Sequence, residues 1–165
     1  MKFLVGDGRQ LGDRLKNFPS EWINDFLNSK ILVIAVENGD AIAAYGVRGI
    51  LNVTSLYVKE THRRKGIGAR IRNTAFREAR KRGIHFLMGE VSFEHLSSKY
   101  GRSLCTRFGC RIVRSVKKHR ASIIIFPLTK RGQLVYTILR ATFAVIPERL
   151  LGFLSEWVWR TTRAQ

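Results

Sequence analysis

Two apolar segments separated by a short polar turn dominate the first third of the chain. Residues 31–36 are almost all β-branched or aliphatic, which favours a buried strand, and residues 41–50 return as its partner. The turn between them is Glu37-Asn38-Gly39-Asp40, and Asn-Gly supplies the positive φ angles that a tight hairpin needs. We therefore predict a β-hairpin, with residues 2–5 as a strand before it and residues 52–58 as a strand after it.

Farther along, apolar residues recur at the spacing of a helix. One stripe predicts a helix over residues 67–82 that ends before Gly83; its members are Ile67, Ile71, Ala75 and Ala79. The opposite face of this helix is predicted to expose six basic residues, which are Arg70, Arg72, Arg77, Arg80, Lys81 and Arg82.

The other helices and strands are predicted from the positions of proline and glycine and from short apolar runs. Pro19 divides residues 11–27 into two short helices, and Gly109 closes a helix predicted over residues 96–108. Three further strands are predicted, at residues 86–91, 111–116 and 122–126. The element order is thus β-α-α-β-β-β-α-β-α-β-β with a helical tail. A strand at 52–58 followed by a helix and the strand at 86–91 predicts a parallel crossover, so the fold class is α/β (α+β).

The last part of the chain carries an unusual amount of apolar surface. Residues 133–146 are apolar nearly all round, Pro147 breaks them, and residues 149–160 have a second stripe at helical spacing, made of Leu150, Phe153, Leu154, Trp157 and Val158. Three interpretations stay open. The stripe packs on the domain's own sheet or across a homodimer, or it binds an anionic membrane as an interfacial helix, or it covers a long acyl chain or a hydrophobic acceptor.

Composition is that of an ordinary globular protein, but the charge is not. The chain has 45% apolar residues and 30 Lys and Arg against 12 Asp and Glu, a formal net charge of +18. Residues 1–58 are neutral overall, whereas residues 59–128 hold 18 basic and 4 acidic residues and residues 129–165 hold 6 and 2. Such a surplus favours an anionic partner.

The basic segment begins at a glycine-containing turn. Arg63-Arg64-Lys65-Gly66-Ile67-Gly68 lies between the strand at 52–58 and the helix at 67–82. Free N–H groups at a helix N-terminus and the surrounding cations suit a phosphate or pyrophosphate. The turn lacks the Gly-Lys-Ser/Thr of an ATP-binding loop and the third glycine of a dinucleotide turn. A tight turn with solvated arginines is the alternative.

Two motifs resemble those of a known family. The run from Leu56-Tyr57-Val58 to Arg63-Arg64-Lys65-Gly66-Ile67-Gly68 resembles the acetyl-CoA signature of the GNAT superfamily of N-acyltransferases, Gln/Arg-x-x-Gly-x-Gly/Ala. Residues 104–112 resemble the later helix-to-strand element of that family. The element order also matches over residues 1–128. The resemblance implies a GNAT-like mixed, mostly antiparallel sheet with a splayed parallel strand pair, formed by residues 1–128, and leaves residues 129–165 as a C-terminal helical extension.

The resemblance also implies a binding mode for acetyl-CoA or another acyl-CoA. The pyrophosphate would lie on the backbone N–H groups of Arg64 to Ala69. The pantetheine arm would pair with the strand at Leu56–Val58, and the N–H of Val58 would polarise the acyl carbonyl. The full set of expected CoA-binding residues is Leu56, Tyr57, Val58, Arg63, Arg64, Lys65, Gly66, Ile67, Gly68, Ala69 and Arg70.

Direct transfer to an amine needs a base, and it benefits from an acid that protonates the departing thiolate. Gly89-Glu90-Val91 resembles the segment whose glutamate is the base in family members that acetylate protein N-termini, so Glu90 is the candidate base. The family's acid is a tyrosine, and Cys105 stands at that position here. Three alternatives follow: the acid is dispensable, Cys105 or Tyr100 serves, or catalysis has been lost.

Two functions from different classes remain after these observations. The first is an acyl-CoA-dependent N-acyltransferase, most simply an acetyltransferase, with an unknown amine acceptor. The second is a GNAT-fold module with weak or no catalysis that binds an acidic partner such as nucleic acid, an acidic protein or an anionic membrane. No cluster has metal-ligand spacing, so no metal is expected. The two cysteines form no disulfide framework and no long apolar run is present, so a cytoplasmic location is expected, peripheral at the membrane if the tail binds it.

Overall fold

The computed structural model describes residues 1–49, 52–98, 106–116, 120–147 and 150, and for residues 49, 52–55, 90 and 95 it describes the backbone alone. The chain divides into two compact units, residues 1–87 and residues 88–165. The predicted division at residue 128 stays a prediction.

The first unit is built on a four-stranded sheet with the order β1-β2-β3-β4. Neighbouring strands in this order pair antiparallel. The strands are β1 (Lys2–Gly6), β2 (Ile31–Glu37), β3 (Asp40–Gly49) and β4 (Asn52–Val58). The predicted hairpin joins β2 to β3, and its turn has φ angles of 52° at Asn38 and 88° at Gly39. All four predicted strands of this region are confirmed to within one or two residues.

Two short helices cover one face of this sheet. Helix α1 (Gly8–Leu11) starts with a capping box in which Asp7 and Gln10 exchange side-chain to backbone hydrogen bonds, and a 3₁₀ turn (Gly12–Leu15) follows it. Helix α2 (Ser20–Leu27) begins after Pro19, as predicted. Phe18 and Phe26 pack edge to face between the helices and the sheet, with ring centroids 6.2 Å apart.

Helix α3 (Ile67–Lys81) packs on strands β2, β3 and β4. The predicted stripe of Ile67, Ile71, Ala75 and Ala79 is buried, and Phe76 joins it. The prediction for Arg72 is wrong: its residue surface is only 4% exposed. Arg72 lies one helical turn before Phe76 on the same side of the helix, and its guanidinium lies 5.6 Å from the centroid of the Tyr45 ring. The prediction was wrong because it placed Arg72 on the solvent face from its charge alone.

The second unit contains a three-stranded sheet with the order β5-β7-β6. Its strands are β5 (Phe86–Ser92), which starts at the boundary between the units, β6 (Arg111–Val116) and β7 (Ala121–Pro127). Strands β6 and β7 are antiparallel. The strands therefore fall into two sheets, and the splay predicted between β4 and β5 stays a prediction.

The helix predicted over residues 96–108 is wrong at its start and is interrupted after Ser97. Helix α4 (Phe93–Ser97) begins earlier and ends at Ser97, and residues 106–108 are again helical. The N–H of Phe93 donates to the carbonyl of Arg120, which anchors the start of α4 beside β7. At its other end, the Ser97 hydroxyl donates to the carbonyl of Glu94, so a side chain satisfies an acceptor that a continuing helix would use. Residues 99–105 lie outside the described part of the chain.

The tail helix is confirmed as α5 (Lys130–Val145), which packs on β6 and β7. Gly132 and Tyr136 are buried on its inner side. The second tail stripe lies outside the described residues, apart from Leu150. Among the described helices none combines the length and apolar content that crossing a bilayer requires.

Candidate functional site

The end of strand β4 forms the first part of the site. Ala43 of β3 pairs with Val58, and the N–H of Lys59 donates to the carbonyl of Ile42 at 2.9 Å. In an antiparallel ladder this bond makes Ala43 and Val58 a non-hydrogen-bonded pair. The backbone N–H and C=O groups of Val58 therefore point away from β3. They face the outer edge of the sheet, because β4 is the last strand in its order.

A short 3₁₀ turn (Glu60–His62) connects this strand end to the basic turn. Arg63 folds back over it: Nε donates to the Val58 carbonyl at 3.1 Å, and a terminal guanidinium nitrogen bonds Glu60 Oε1 at 3.0 Å. The peptide between Val58 and Lys59 is thus held at both ends, by Arg63 at its carbonyl and by Ile42 at its N–H. Sequence reasoning missed this role of Glu60, although the (i, i+3) spacing of opposite charges signals the pair.

His62 supports the same turn from the side of β2. Its Nε2 lies 3.3 Å from Glu37 Oε2, and its Nδ1 lies 2.8 Å from the Thr61 hydroxyl. These contacts connect the turn to the end of β2. They make His62 a part of the scaffold.

Helix α3 opens at an N-terminus without a side-chain cap. Gly66 is the N-cap residue in the left-handed conformation, with φ 73° and ψ 4°, and the first turn contains no acidic residue. Arg64 also has a positive φ, 63°, and both Arg64 and Lys65 are exposed. The first N–H groups of a helix have no acceptor inside the helix, so they and the helix dipole favour an anion here. Two exposed cations strengthen that preference.

The two glycines of the turn serve different purposes. A Cβ at Gly66 would meet nothing within 4 Å, so its conformation is what requires glycine. A Cβ at Gly68 would lie 3.2 Å from a methyl carbon of Leu56 and 3.8 Å from one of Val58. Gly68 therefore lets α3 approach β4 closely and sets the distance between the helix N-terminus and the strand edge.

Three of the expected binding residues have side chains directed elsewhere. Tyr57 packs its ring against Phe18, with centroids 4.9 Å apart, and Ile67 is buried. The guanidinium of Arg70 lies 5.4 Å from the centroid of the Phe3 ring. At these positions only the backbone faces the turn, so Arg64 and Lys65 are the side chains best placed to meet an anion.

The catalytic candidates are described only in part. Glu90 lies in β5, and its side chain is outside what the structure describes. Cys105 and Tyr100 lie in the undescribed residues 99–105. In the part of the chain that is described, no group of three or more His, Cys, Asp or Glu residues is arranged to hold a metal ion.

The turn and the elements around it lie within a segment that matches a known family. The family model of the acetyltransferase (GNAT) family matches residues 8–99, which include β4, the turn, α3 and β5. The chain belongs to the GNAT acetyltransferase family. Its members use acetyl-CoA as acyl donor. No curated protein sequence matches the chain significantly.

Solved structures of this family share the fold. An aminoglycoside 6'-N-acetyltransferase complexed with coenzyme A is 18% identical, with a TM-score of 0.56 over 78% of this chain and 98% of that chain. The ribosomal-protein-S18-alanine N-acetyltransferase from Escherichia coli is 17% identical, with a TM-score of 0.54 over 78% and 95%. The IAA acetyltransferase from Bacillus cereus is 17% identical, with a TM-score of 0.53 over 76% and 99%. The predicted GNAT-like fold is therefore confirmed.

Proposed function

We propose that this GNAT protein transfers an acetyl group from acetyl-CoA directly to an amine. The proposal rests on the start of α3, which has no side-chain cap, a left-handed Gly66 and the exposed Arg64 and Lys65, and which lies next to the outer edge of β4. Family membership and the CoA complex among the similar structures support a CoA pyrophosphate at this place. The backbone N–H groups of residues 64–69 would bind the pyrophosphate oxygens.

The edge of β4 supports the position of the acyl group. The pantetheine arm is an extended chain with amide groups, so it can pair with the outward backbone groups of Leu56 and with the Val58 N–H as an added strand would. The Val58 N–H would then donate to the acyl carbonyl oxygen and stabilise the charge that develops on it. Because Arg63 and Ile42 fix the next peptide, this donor keeps its direction during the reaction.

Transfer then needs a neutral amine. In this proposal Glu90 takes a proton from the ammonium form of the acceptor, and the neutral amine attacks the acyl carbon. As the carbon–sulfur bond breaks, the nitrogen releases a second proton to solvent. The departing CoA thiolate takes up a proton from Cys105, Tyr100 or solvent. Amide and free CoA are the products, and no metal takes part.

An acetyltransferase is favoured over a non-catalytic module that binds nucleic acid. Arg72 is buried, and Arg82 donates to Glu78 and to the carbonyl of Lys30, so the basic face of α3 is smaller than its sequence indicated. Two of the six basic residues predicted on that face thus contact other parts of the protein.

The deciding experiment follows free CoA release with a thiol reagent while acceptors are varied. The panel contains an aminoglycoside and an alanine peptide, which the names of two similar enzymes suggest. Glu90→Gln is expected to lower kcat at least a hundredfold, since general base catalysis contributes about 10²–10⁴-fold, with little change in CoA affinity.

Glu94→Gln is the matched control. Glu94 lies four residues later, is exposed and pairs with Arg120 at 3.3 Å, so its removal is expected to leave kcat unchanged. Equal turnover in the Glu90 variant and the wild type would remove Glu90 from the mechanism. Failure of the wild-type protein to bind acetyl-CoA in calorimetry would remove the proposed function itself.

A further inference from the structure

Helix α5 presents an apolar face to solvent. Leu134 is 62% exposed, Ile138 56% and Val145 81%. With the exposed Ala141, these residues recur every three or four positions and lie on one side of the helix. A surface helix ordinarily turns such a stripe toward the core, and contiguous exposed apolar patches mark sites of interaction.

The orientation of α5 is fixed by its other side. Tyr136 is buried there, and the guanidinium of Arg111 lies 5.3 Å from the centroid of its ring. Arg114 donates to the carbonyls of Phe143 and Ile146, which are among the last acceptors of the helix. These anchors from β6 hold the inner side against the sheet. Because these contacts fix the inner side of α5, the apolar stripe on the opposite side faces solvent.

The charged residues of α5 indicate which kind of partner binds the apolar stripe. Helix α5 contains no Asp or Glu, and the exposed Lys130 and Arg131 lie at the start of the apolar side. An apolar stripe with cations at one end matches a bilayer surface with acidic lipids, in which apolar side chains enter the acyl boundary and cations meet phosphates. We propose that the outer face of α5 docks this protein on an anionic membrane surface.

Further observations favour a membrane over a second copy of the chain. Beyond Pro147 the sequence contains Trp157 and Trp159. Tryptophan is enriched where membrane and water meet. A stable protein interface buries about 800 Å² on each partner, and four side chains on one helix supply roughly half of that. A symmetric contact would also place only positive charges on both sides.

The test is co-sedimentation of the full-length protein with vesicles. Vesicles of phosphatidylcholine with phosphatidylserine are compared with vesicles of phosphatidylcholine alone. The wild type is expected to bind the anionic vesicles at least tenfold better. The double variant Leu134→Gln/Ile138→Gln is expected to bind the anionic vesicles at least tenfold more weakly than the wild type. The double variant Lys130→Gln/Arg131→Gln is expected to bind anionic vesicles more weakly, with no change on vesicles of phosphatidylcholine alone.

The matched control is Val5→Gln/Leu27→Gln, which changes two apolar residues that are exposed in the first unit. It is expected to bind vesicles as the wild type does. Thermal unfolding of each variant shows whether the substitutions leave the fold intact. The proposal is overturned if wild-type protein binds both kinds of vesicle equally weakly, or if the Leu134/Ile138 variant binds as well as the wild type.

A labelling experiment separates the other occupants of this face. Ile138→Cys is treated with a water-soluble maleimide, and the modified peptide is identified by mass spectrometry. Labelling without vesicles and protection by anionic vesicles are expected. Protection without vesicles that persists on dilution would show that the chain's own C-terminal residues cover α5, and protection that disappears on dilution would show a second copy. Either result contradicts the membrane proposal.

Discussion

Gly66 and Gly68 stand two residues apart in one motif, yet different physical demands require them. Gly66 needs a left-handed backbone in open space, whereas Gly68 needs room against Leu56 of β4. The first glycine aims the N–H groups of α3, and the second sets how near they come to the strand edge. A sequence motif shows both positions as glycine and cannot distinguish these two causes.

Gly66→Ala tests the first cause. A left-handed alanine costs roughly 1–2 kcal/mol, and relief of that strain would turn the N–H groups away from the anion. The variant is expected to lose about that much free energy of unfolding in urea, and at least tenfold in CoA affinity by calorimetry. Gly83→Ala is the control, since Gly83 at the other end of α3 has φ 74° and equally open surroundings. It is expected to lose the same stability with unchanged CoA affinity; a similar affinity loss in both variants would contradict the model of the turn.

Arg63 and Arg64 offer a second comparison at this scale. The guanidinium of Arg63 holds the Val58 carbonyl and Glu60, while Arg64 is exposed beside the helix start. Arg63→Ala is expected to lower kcat about tenfold or more with a smaller change in KM for acetyl-CoA, because the Val58 N–H loses its fixed direction. Arg64→Ala is expected to raise that KM severalfold at nearly constant kcat. Steady-state kinetics measure both, and a pure KM effect in the Arg63 variant would refute its positioning role.

At the scale of elements, helix α3 shows how far periodicity predicts structure. The stripe from Ile67 to Ala79 and the end before Gly83 follow from spacing alone, because core contacts repeat with the helical turn. Arg72 was assigned to the wrong face because its partner, the ring of Tyr45, belongs to β3 and is far away in sequence. The start of α1 was predicted too late, at residue 11. The Asp7 and Gln10 spacing of a capping box is the signal in the sequence that would have placed the start at Gly8.

Arg72→Ala tests whether this buried cation supports the helix. It is expected to lower the free energy of unfolding by about 2 kcal/mol, because packing and the ring contact are lost together. Arg72→Met, which keeps an unbranched stem in the same space, is expected to recover part of that loss. The exposed Arg77→Ala is the control and is expected to stay within about 0.5 kcal/mol of the wild type in urea denaturation. Equal stabilities of the Arg72 and Arg77 variants would show that burial of Arg72 contributes nothing.

Over the whole molecule, the charge surplus divides into groups with different uses. Arg63, Arg82 and Arg120 form ion pairs with Glu60, Glu78 and Glu94. Arg111 and Arg114 hold α5 through a ring and two carbonyls. The fold class and the position of the glycine-containing turn could be predicted from the sequence, whereas these uses could not. Their acceptors are backbone carbonyls and ring faces brought together by the fold, as when Arg114 reaches Phe143.

The order of strands in the two sheets has a consequence for synthesis of the chain. Every strand of the sheet β1-β2-β3-β4 pairs with its sequence neighbour, so that sheet can close as soon as residue 58 has left the ribosome. Strand β5, which carries Glu90, has β7 as its neighbour and waits until residue 127. We therefore expect the first sheet to be formed on a nascent chain in which the strand of the candidate base still lacks its partner. An unpaired strand is exposed to aggregation for that interval. Substitutions that slow the synthesis or folding of residues 88–127 should therefore lower the yield of active protein. Their effect should exceed that of equally destabilising substitutions before residue 58.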